Sequence, residues 1–468
     1  MHISLRTIFA HLSLLSYLVV VNAQNPLVQD FLSPDSWPTG PGQALVPQMP
    51  NEELTSIINQ IDPARIETII QKLVSFGTRS TLSSQTNATR GIGAARDWIA
   101  SQMRGFAQAS NGKMNVTVQT FTQPAGGSIP RSTVISNVFA TLRGSQEPGR
   151  VYVVSGHYDS RNSDDSDGVG DAPGADDDGS GVAVSLELAR IMASHQSRST
   201  IIFATVAGEE QGLIGSTFMA QQLKNAGVDV QGMLDNDIVG SSTGVDGTTD
   251  PFNIRMFVQG IPPTESSSQV SDRVAIGAEN DSPPRQLGRF VAEVASNEVT
   301  NMTVQPVWRP DRFGRGGDHQ SFLRVGYPAV RFTEPLEIFS HQHQDVRVVD
   351  GVQFGDLPEF CDFEYNARVA KVNAAALWSM AQAPGTPKNV VQSTVQSNNA
   401  TLSWTLDPNA DSYEIVWRAS EVPQWTHVVP VGKVNTATIQ LSHDNAQFAV
   451  RAVGANGFKS PAGFPFSG

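Results

Sequence analysis

Side chains able to do chemistry are concentrated in a few short stretches of this 468-residue sequence. In chain order they are "SGHYDS" (His157, Asp159), "APGADDDGSGV" (Asp176, Asp177, Asp178), "AGEEQGLIGS" (Glu209, Glu210), "MLDNDIVG" (Asp235, Asp237), "GRGGDHQSF" (Asp318, His319) and "FSHQHQDVR" (His341, His343, Asp345). No Lys or Arg flanks the Glu209-Glu210 pair. Acids and imidazoles in such numbers cannot share a partly dry cleft unless a cation compensates them. Mixed imidazole and carboxylate donors suit Zn²⁺, whereas an all-oxygen set would suit Mg²⁺ or Ca²⁺. Two imidazoles with at least three carboxylates exceed one tetrahedral site, so two ions bridged by a carboxylate form the economical arrangement. Taken singly, each stretch reads more simply. Asp176–178 would be a solvated helix start favoured by the dipole, Glu209-Glu210 a surface loop, Asp237 a turn acid and His319 a packed residue. The acidic loop Asp164-Asp165-Ser166-Asp167-Gly168 resembles a calcium loop but lacks the acid at its far end, and reads as solvated charge.

Only converging elements could bring such distant residues together. Apolar, β-branched runs at 151–154, 201–206 and 233–239 immediately precede or contain the His157, Glu209-Glu210 and Asp235–Asp237 positions, and a further run lies at 329–332. Between them, apolar residues recur at helical spacing behind Pro63 (Ile66, Ile69, Ile70, Leu73, Val74) and through 92–106, 179–193, 213–224, 285–297 and 364–382. Helices alternating with buried strands predict an α/β fold with a mainly parallel central sheet flanked by helices. In such sheets ligands bind at the carboxyl ends of the strands, where these acids and imidazoles fall.

The five motifs "SGHYDS", "APGADDDGSGV", "AGEEQGLIGS", "NDIVG" and "HQHQD", in that order, resemble the M28 family of co-catalytic zinc aminopeptidases over roughly residues 60–385. The resemblance implies a zinc-exopeptidase fold and two Zn²⁺ per chain. His157, Asp177 and Asp237 would hold one ion, and Asp177, Glu210 and His341 the other, with His343 the alternative ligand. Spacing favours His341, because the family places its last ligand four residues before an aspartate, here Asp345. Glu209 would be the general base, taking a proton from the attacking water. Asp159, Asp345 and Asp318 would support the ligands from behind. The likeness also implies a cis peptide at Asp177-Asp178 and a substrate-pocket loop around 312–317. Arg315 and Arg331 could meet a substrate carboxylate or balance the acids. An N-terminal glutamine cyclase and a non-catalytic receptor-like ectodomain are the alternative readings on the same fold.

The rest of the chain bounds this reading. A net charge of −13 disfavours nucleic acid as a partner, and 39% hydrophobic residues suffice for a large core. Residues 1–23 read as a secretory signal cleaved after Ala23, too short for a membrane anchor, so the expected location is extracellular. Sequons at Asn87, Asn115, Asn280, Asn301 and Asn399 suit a secreted glycoprotein. Cys361 is the only cysteine, which excludes an intramolecular disulfide. The expected layout is a signal peptide (1–23), an irregular Pro/Gly-rich lead (24–50), a peptidase domain (51–385) and a C-terminal β-sandwich (386–468). Alternating stretches such as "ATLSWTL" and "QFAVRAVGANG" make that last part resemble a fibronectin type III module, with Phe448 where a tyrosine often stands. Peptides are the expected partners; the sequence leaves the oligomeric state open.

Overall fold

The apolar runs become strands of one eight-stranded sheet in the computed structural model, which describes residues 37–466. The expected signal peptide and residues 24–36 of the lead lie outside the described residues. The strands are β1 (Met114–Gln123), β2 (Thr133–Leu142), β3 (Glu147–His157), β4 (Ser199–Val206), β5 (Asp229–Asn236), β6 (Asn253–Val258), β7 (Thr303–Val307) and β8 (Ala329–Thr333), in the spatial order β1-β2-β4-β3-β5-β8-β6-β7. β4, β3, β5 and β8 run parallel, as do β6 and β7, while the other three pairings are antiparallel. The sheet is therefore mixed, with a parallel centre. Neither β1–β2 nor β6–β7 is expected from continuous apolar runs. β1 alternates Val and Phe with Thr and Gln as a half-exposed edge strand does.

Helices cover the sheet: α1 (Glu52–Ile58), α2 (Pro63–Val74), α3 (Ile92–Ala107), α4 (Gly179–Met192), α5 (Ile214–Asn225), α6 (Ser267–Ala275), α7 (Pro283–Ala295), α8 (His319–Arg324) and α9 (Phe363–Gln382). α2 starts where Asp62 caps the Ala64 N–H and Pro63 takes the first turn. α4 is almost wholly buried and packs against β3. Its approach depends on two small residues. A Cβ on Gly156 would stand 2.4 Å from the Gly181 backbone, and one on Gly181 would stand 2.1 Å from the Asn236 carbonyl oxygen. The start of α4 is thereby pressed between the ends of β3 and β5.

The C-terminal part forms two antiparallel sheets around a shared apolar cluster that includes Leu402, Trp404, Tyr413, Trp417 and Phe448. One sheet contains 391–392, 400–403 and 436–439; the other contains 412–418, 427–432 and 447–453. Gln43–Ala44, within the expected irregular lead, adds a short strand to the second sheet. A tyrosine hydroxyl does meet the backbone here, but it belongs to Tyr413, which accepts from the Asp407 N–H at 2.6 Å.

These sheets are tied to α7 through buried charge. Asp281 receives Arg289 at 3.0 Å and Arg418 at 2.6 Å, and Arg451 bridges Glu293 at 2.7 Å and Glu414 at 2.5 Å. The Trp425 indole donates to Gln286 at 3.2 Å. Removing one member of a buried ion pair strands its partner without water. Asp281→Ala is accordingly expected to destabilise the protein by about 3–5 kcal/mol, measurable by urea unfolding. A loss below about 1 kcal/mol would show that this junction does not hold the C-terminal sheets.

Candidate metal centre

β4, β3 and β5 end side by side at the same edge of the sheet, and the chain crosses to opposite sides of β3. That reversal opens a crevice above the strand ends. His157 is the last residue of β3. Beyond β4, Gly208 turns the chain with φ +77° and presents Glu209 and Glu210. Asp159 fixes that turn: its carboxylate accepts from the Glu209 N–H at 3.3 Å, the Glu210 N–H at 3.2 Å and the Thr81 hydroxyl at 3.1 Å. The His157 Nδ1 lies 3.1 Å from the Asp159 carbonyl oxygen and 3.6 Å from its carboxylate, so main chain is the nearer support. Asp178 caps α4 at Gly181 and accepts from the His157 N–H at 2.8 Å; the peptide between Asp177 and Asp178 is cis.

Two buried residues outside the sequence motifs complete the frame. Asp356 accepts the Asp176 and Asp177 N–H groups at 2.9 and 2.7 Å. Arg79, fully buried, donates to the carbonyls of Tyr158, Pro173 and Gly174 at 2.8, 2.5 and 2.7 Å. Both act on main chain across long sequence separations, which no local pattern announces.

Two groups of donor atoms result. His157 Nε2 is 3.1 Å from Asp177 Oδ1 and 3.8 Å from Asp237 Oδ1. On the other side, His343 Nε2 is 2.9 Å from Asp177 Oδ2 and 3.1 Å from Glu210 Oε2. Asp177 thus offers a different oxygen to each group. His157 Nε2 and Glu210 Oε1, one from each group, are buried without a hydrogen bond, as atoms aimed at bound cations would be. The electrostatics agree. Burial opposes the His343 imidazolium, yet Glu210 and Asp177 carry its pKa up to about 11. Burial would also raise the Asp177 carboxyl, but His343 and His157 hold it well below its ordinary range. Protonated imidazoles thereby supply positive charge that a bound dication would supply instead. The donor set, nitrogen plus carboxylate oxygen in two triads sharing one acid, fits Zn²⁺.

The expectation for His341 is corrected. Its ring stacks on Phe360, with centroids 3.6 Å apart and planes 8° apart, and it joins neither group. His343 adopts φ +51°, a left-handed turn that reorients the chain so that the later imidazole enters the site. Asp345 does not back a histidine either; it is exposed, and its carboxylate accepts from the Ser163 hydroxyl at 2.7 Å. Asp318 is 1% exposed, with neither oxygen in a well-formed hydrogen bond. Burial and Asp235 push its pKa well up, against the effect of His157. His319 is a packed residue, bonded to Asp235 and the Pro310 carbonyl. Arg331 balances acids: fully buried, it meets Asp237 at 2.8 Å and Asp311 at 3.1 Å. In the loop at 164–168, Asp164 and Asp167 accept from nearby N–H and hydroxyl groups of the same loop, as solvated surface turns do.

Glu209 stands apart from both triads. It is half-buried, and burial pushes its pKa well above the usual carboxylate range; His157 opposes this, while Asp237, Asp318 and Glu210 add to it.

Residues 137–349 match the model of peptidase family M28. A protein of Pyrenophora teres f. teres (strain 0-1) named "Probable zinc metalloprotease" is 54% identical over 437 residues, covering 92% of this chain and 90% of the relative. The chain belongs to peptidase family M28. A similarly named protein of Leptosphaeria maculans is 55% identical over 430 residues, covering 91% of this M28 chain and all of that one. The fold is that of LapB from Legionella pneumophila, with a TM-score of 0.50 at 19% identity over 75% of this chain and 79% of the other. LapA aminopeptidase of the same organism gives a TM-score of 0.50 at 18% identity, over 74% and 78%.

Proposed function

We propose that this M28 peptidase is a secreted aminopeptidase that holds two Zn²⁺ ions, removes N-terminal residues from peptides and uses Glu209 as its base. The observation that carries the reading is Asp177 offering one carboxylate oxygen to each of two His/carboxylate triads. His157, Asp177 and Asp237 would hold one ion; Asp177, Glu210 and His343 the other. Bound there, zinc supplies a Lewis acid that polarises the scissile carbonyl and makes a water nucleophilic near neutral pH.

The chain's own residues do the rest. Glu209, outside both triads, is free to take a proton from the attacking water on its carboxylate and to return it to the leaving amine. Its pKa, raised by burial, makes it a stronger base than an ordinary carboxylate. Asp159 keeps the base in place through the main chain of Glu209 and Glu210. The many acids gathered at this sheet edge favour a substrate bearing a protonated α-amine, which would restrict cleavage to the first residue.

Secretion is supported by the residue 1–23 pattern and by the exposure of all five sequon asparagines, Asn87, Asn115, Asn280, Asn301 and Asn399. No helix among the described residues is long and apolar enough to cross a membrane. The fibronectin-like reading of residues 386–468 rests on their paired antiparallel sheets, and we assign them a bracing role against α7.

An assay with aminoacyl anilides, free and N-acetylated, tests the activity. Acetylation removes the ammonium and is expected to lower kcat/KM by about 30-fold or more, the worth of about 2 kcal/mol for a buried charge contact. Equal turnover of both forms would refute an aminopeptidase. Cyclisation of N-terminal glutamine without hydrolysis would favour the cyclase reading instead.

A further inference from the structure

The loop 308–318, between β7 and α8, carries positive charge into an otherwise acidic site. Arg255, Arg312 and Arg315 all converge on one carboxylate, Glu337, at 2.7, 2.9 and 2.9 Å. Arg312 also reaches Asp311 at 3.2 Å, but Arg331 already shares that acid. Apart from Asp237, four guanidinium groups therefore face two carboxylates. Of the three on Glu337, Arg315 has the most exposed side chain, at 31%.

Its position relates it to both triads. Gly316, the next residue, gives its carbonyl to Arg331 at 2.5 Å, and Arg331 reaches Asp237 at 2.8 Å. In the other direction the Arg315 guanidinium lies 3.5 Å from the Gln342 side-chain oxygen, one residue before His343. Its contacts with Glu337 and Gln342 leave most of its five donors unspent. Beside it stands one exposed aromatic ring: Phe339 lies under the guanidinium at 5.9 Å and is 67% exposed.

We infer that Arg315 is a specificity-determining residue that binds a carboxylate of the peptide substrate, either its C-terminus or an acidic side chain beyond the cleaved residue. A guanidinium fork matches a carboxylate in two parallel hydrogen bonds, and the Phe339 ring on one side keeps that contact from full solvent. The inference deepens the peptidase reading and rests on it.

The test uses the intact zinc-loaded enzyme and three substrates: a tripeptide as free acid, the same tripeptide as C-terminal amide, and an amidated tripeptide with Glu at its third position. The wild type should favour the free acid over the plain amide by about tenfold in kcat/KM, chiefly through KM, as a partly solvated charge-assisted bond would give. Arg315→Gln should collapse that ratio towards one, while Arg315→Lys keeps part of it. If the Glu amide matches the free acid, the site accepts an acidic side chain as well; if it matches the plain amide, the site is reserved for the C-terminus. Should Arg315→Gln fail to fold, the wild-type preference must still shrink as ionic strength rises from about 0.05 M to about 1 M. A wild type that prefers neither the free acid nor the Glu amide over the plain amide, a preference kept by Arg315→Gln, or a preference indifferent to salt would overturn the inference. Failure to cleave any of the three substrates would instead overturn the aminopeptidase reading, and this one with it.

Discussion

Replacing Glu209 with glutamine is expected to leave the metal content of the protein unchanged and to lower kcat by about 10²–10⁴-fold. The side chain belongs to neither triad, so its loss as an acid removes no ligand. Glutamine has nearly the same size, and the hydrogen bonds that hold the turn run from main-chain N–H groups to Asp159, which the substitution leaves alone. What disappears is the capacity to accept a proton. Steady-state kinetics on an aminoacyl anilide, together with zinc determination on the same sample, measure both quantities. A variant that turns over at the wild-type rate would transfer the base to another residue. One that loses zinc would place Glu209 among the ligands.

The second expectation concerns the two histidines of "HQHQD". His343→Ala removes the only nitrogen donor from the triad with Asp177 and Glu210, leaving two carboxylates that repel each other. Losing an outer support of a metal ligand already costs about 10–100-fold in affinity or activity, so losing the ligand should cost about 100-fold or more in both. His341→Ala should keep both ions. It removes only the stack on Phe360, a loss of about 0.5–1.5 kcal/mol beyond the buried area, visible as a lowered Tm. Isothermal titration with zinc after chelation separates the variants. The reverse pattern, metal lost from His341→Ala and kept by His343→Ala, would show that the turn at 338–343 is arranged differently.

Much of this centre is legible from sequence because the chemistry sits directly at strand ends. His157 closes β3, Glu209 and Glu210 follow β4, and Asp235 lies at the end of β5 with Asp237 just beyond it, so recognising three parallel strands suffices to bring these groups to one edge. The last ligand is not legible in this way. His341 and His343 lie in a turn without periodicity, and the choice between them depends on a left-handed backbone at His343 that spacing cannot reveal. Arg79 and Asp356 are hidden for another reason: each serves main-chain atoms about 80 to 180 residues away, and neither has a local partner. The junction at Asp281, Arg289 and Arg418 looks like ordinary surface charge until the C-terminal sheets bury it. β1 escapes because an edge strand needs only one apolar face.

Anomalous diffraction at the zinc edge from crystals of the wild-type protein tests the two-ion centre most directly. Two peaks per chain are expected, one among His157, Asp177 and Asp237 and one among Asp177, Glu210 and His343. A single peak, or a pair that does not share Asp177, would contradict it.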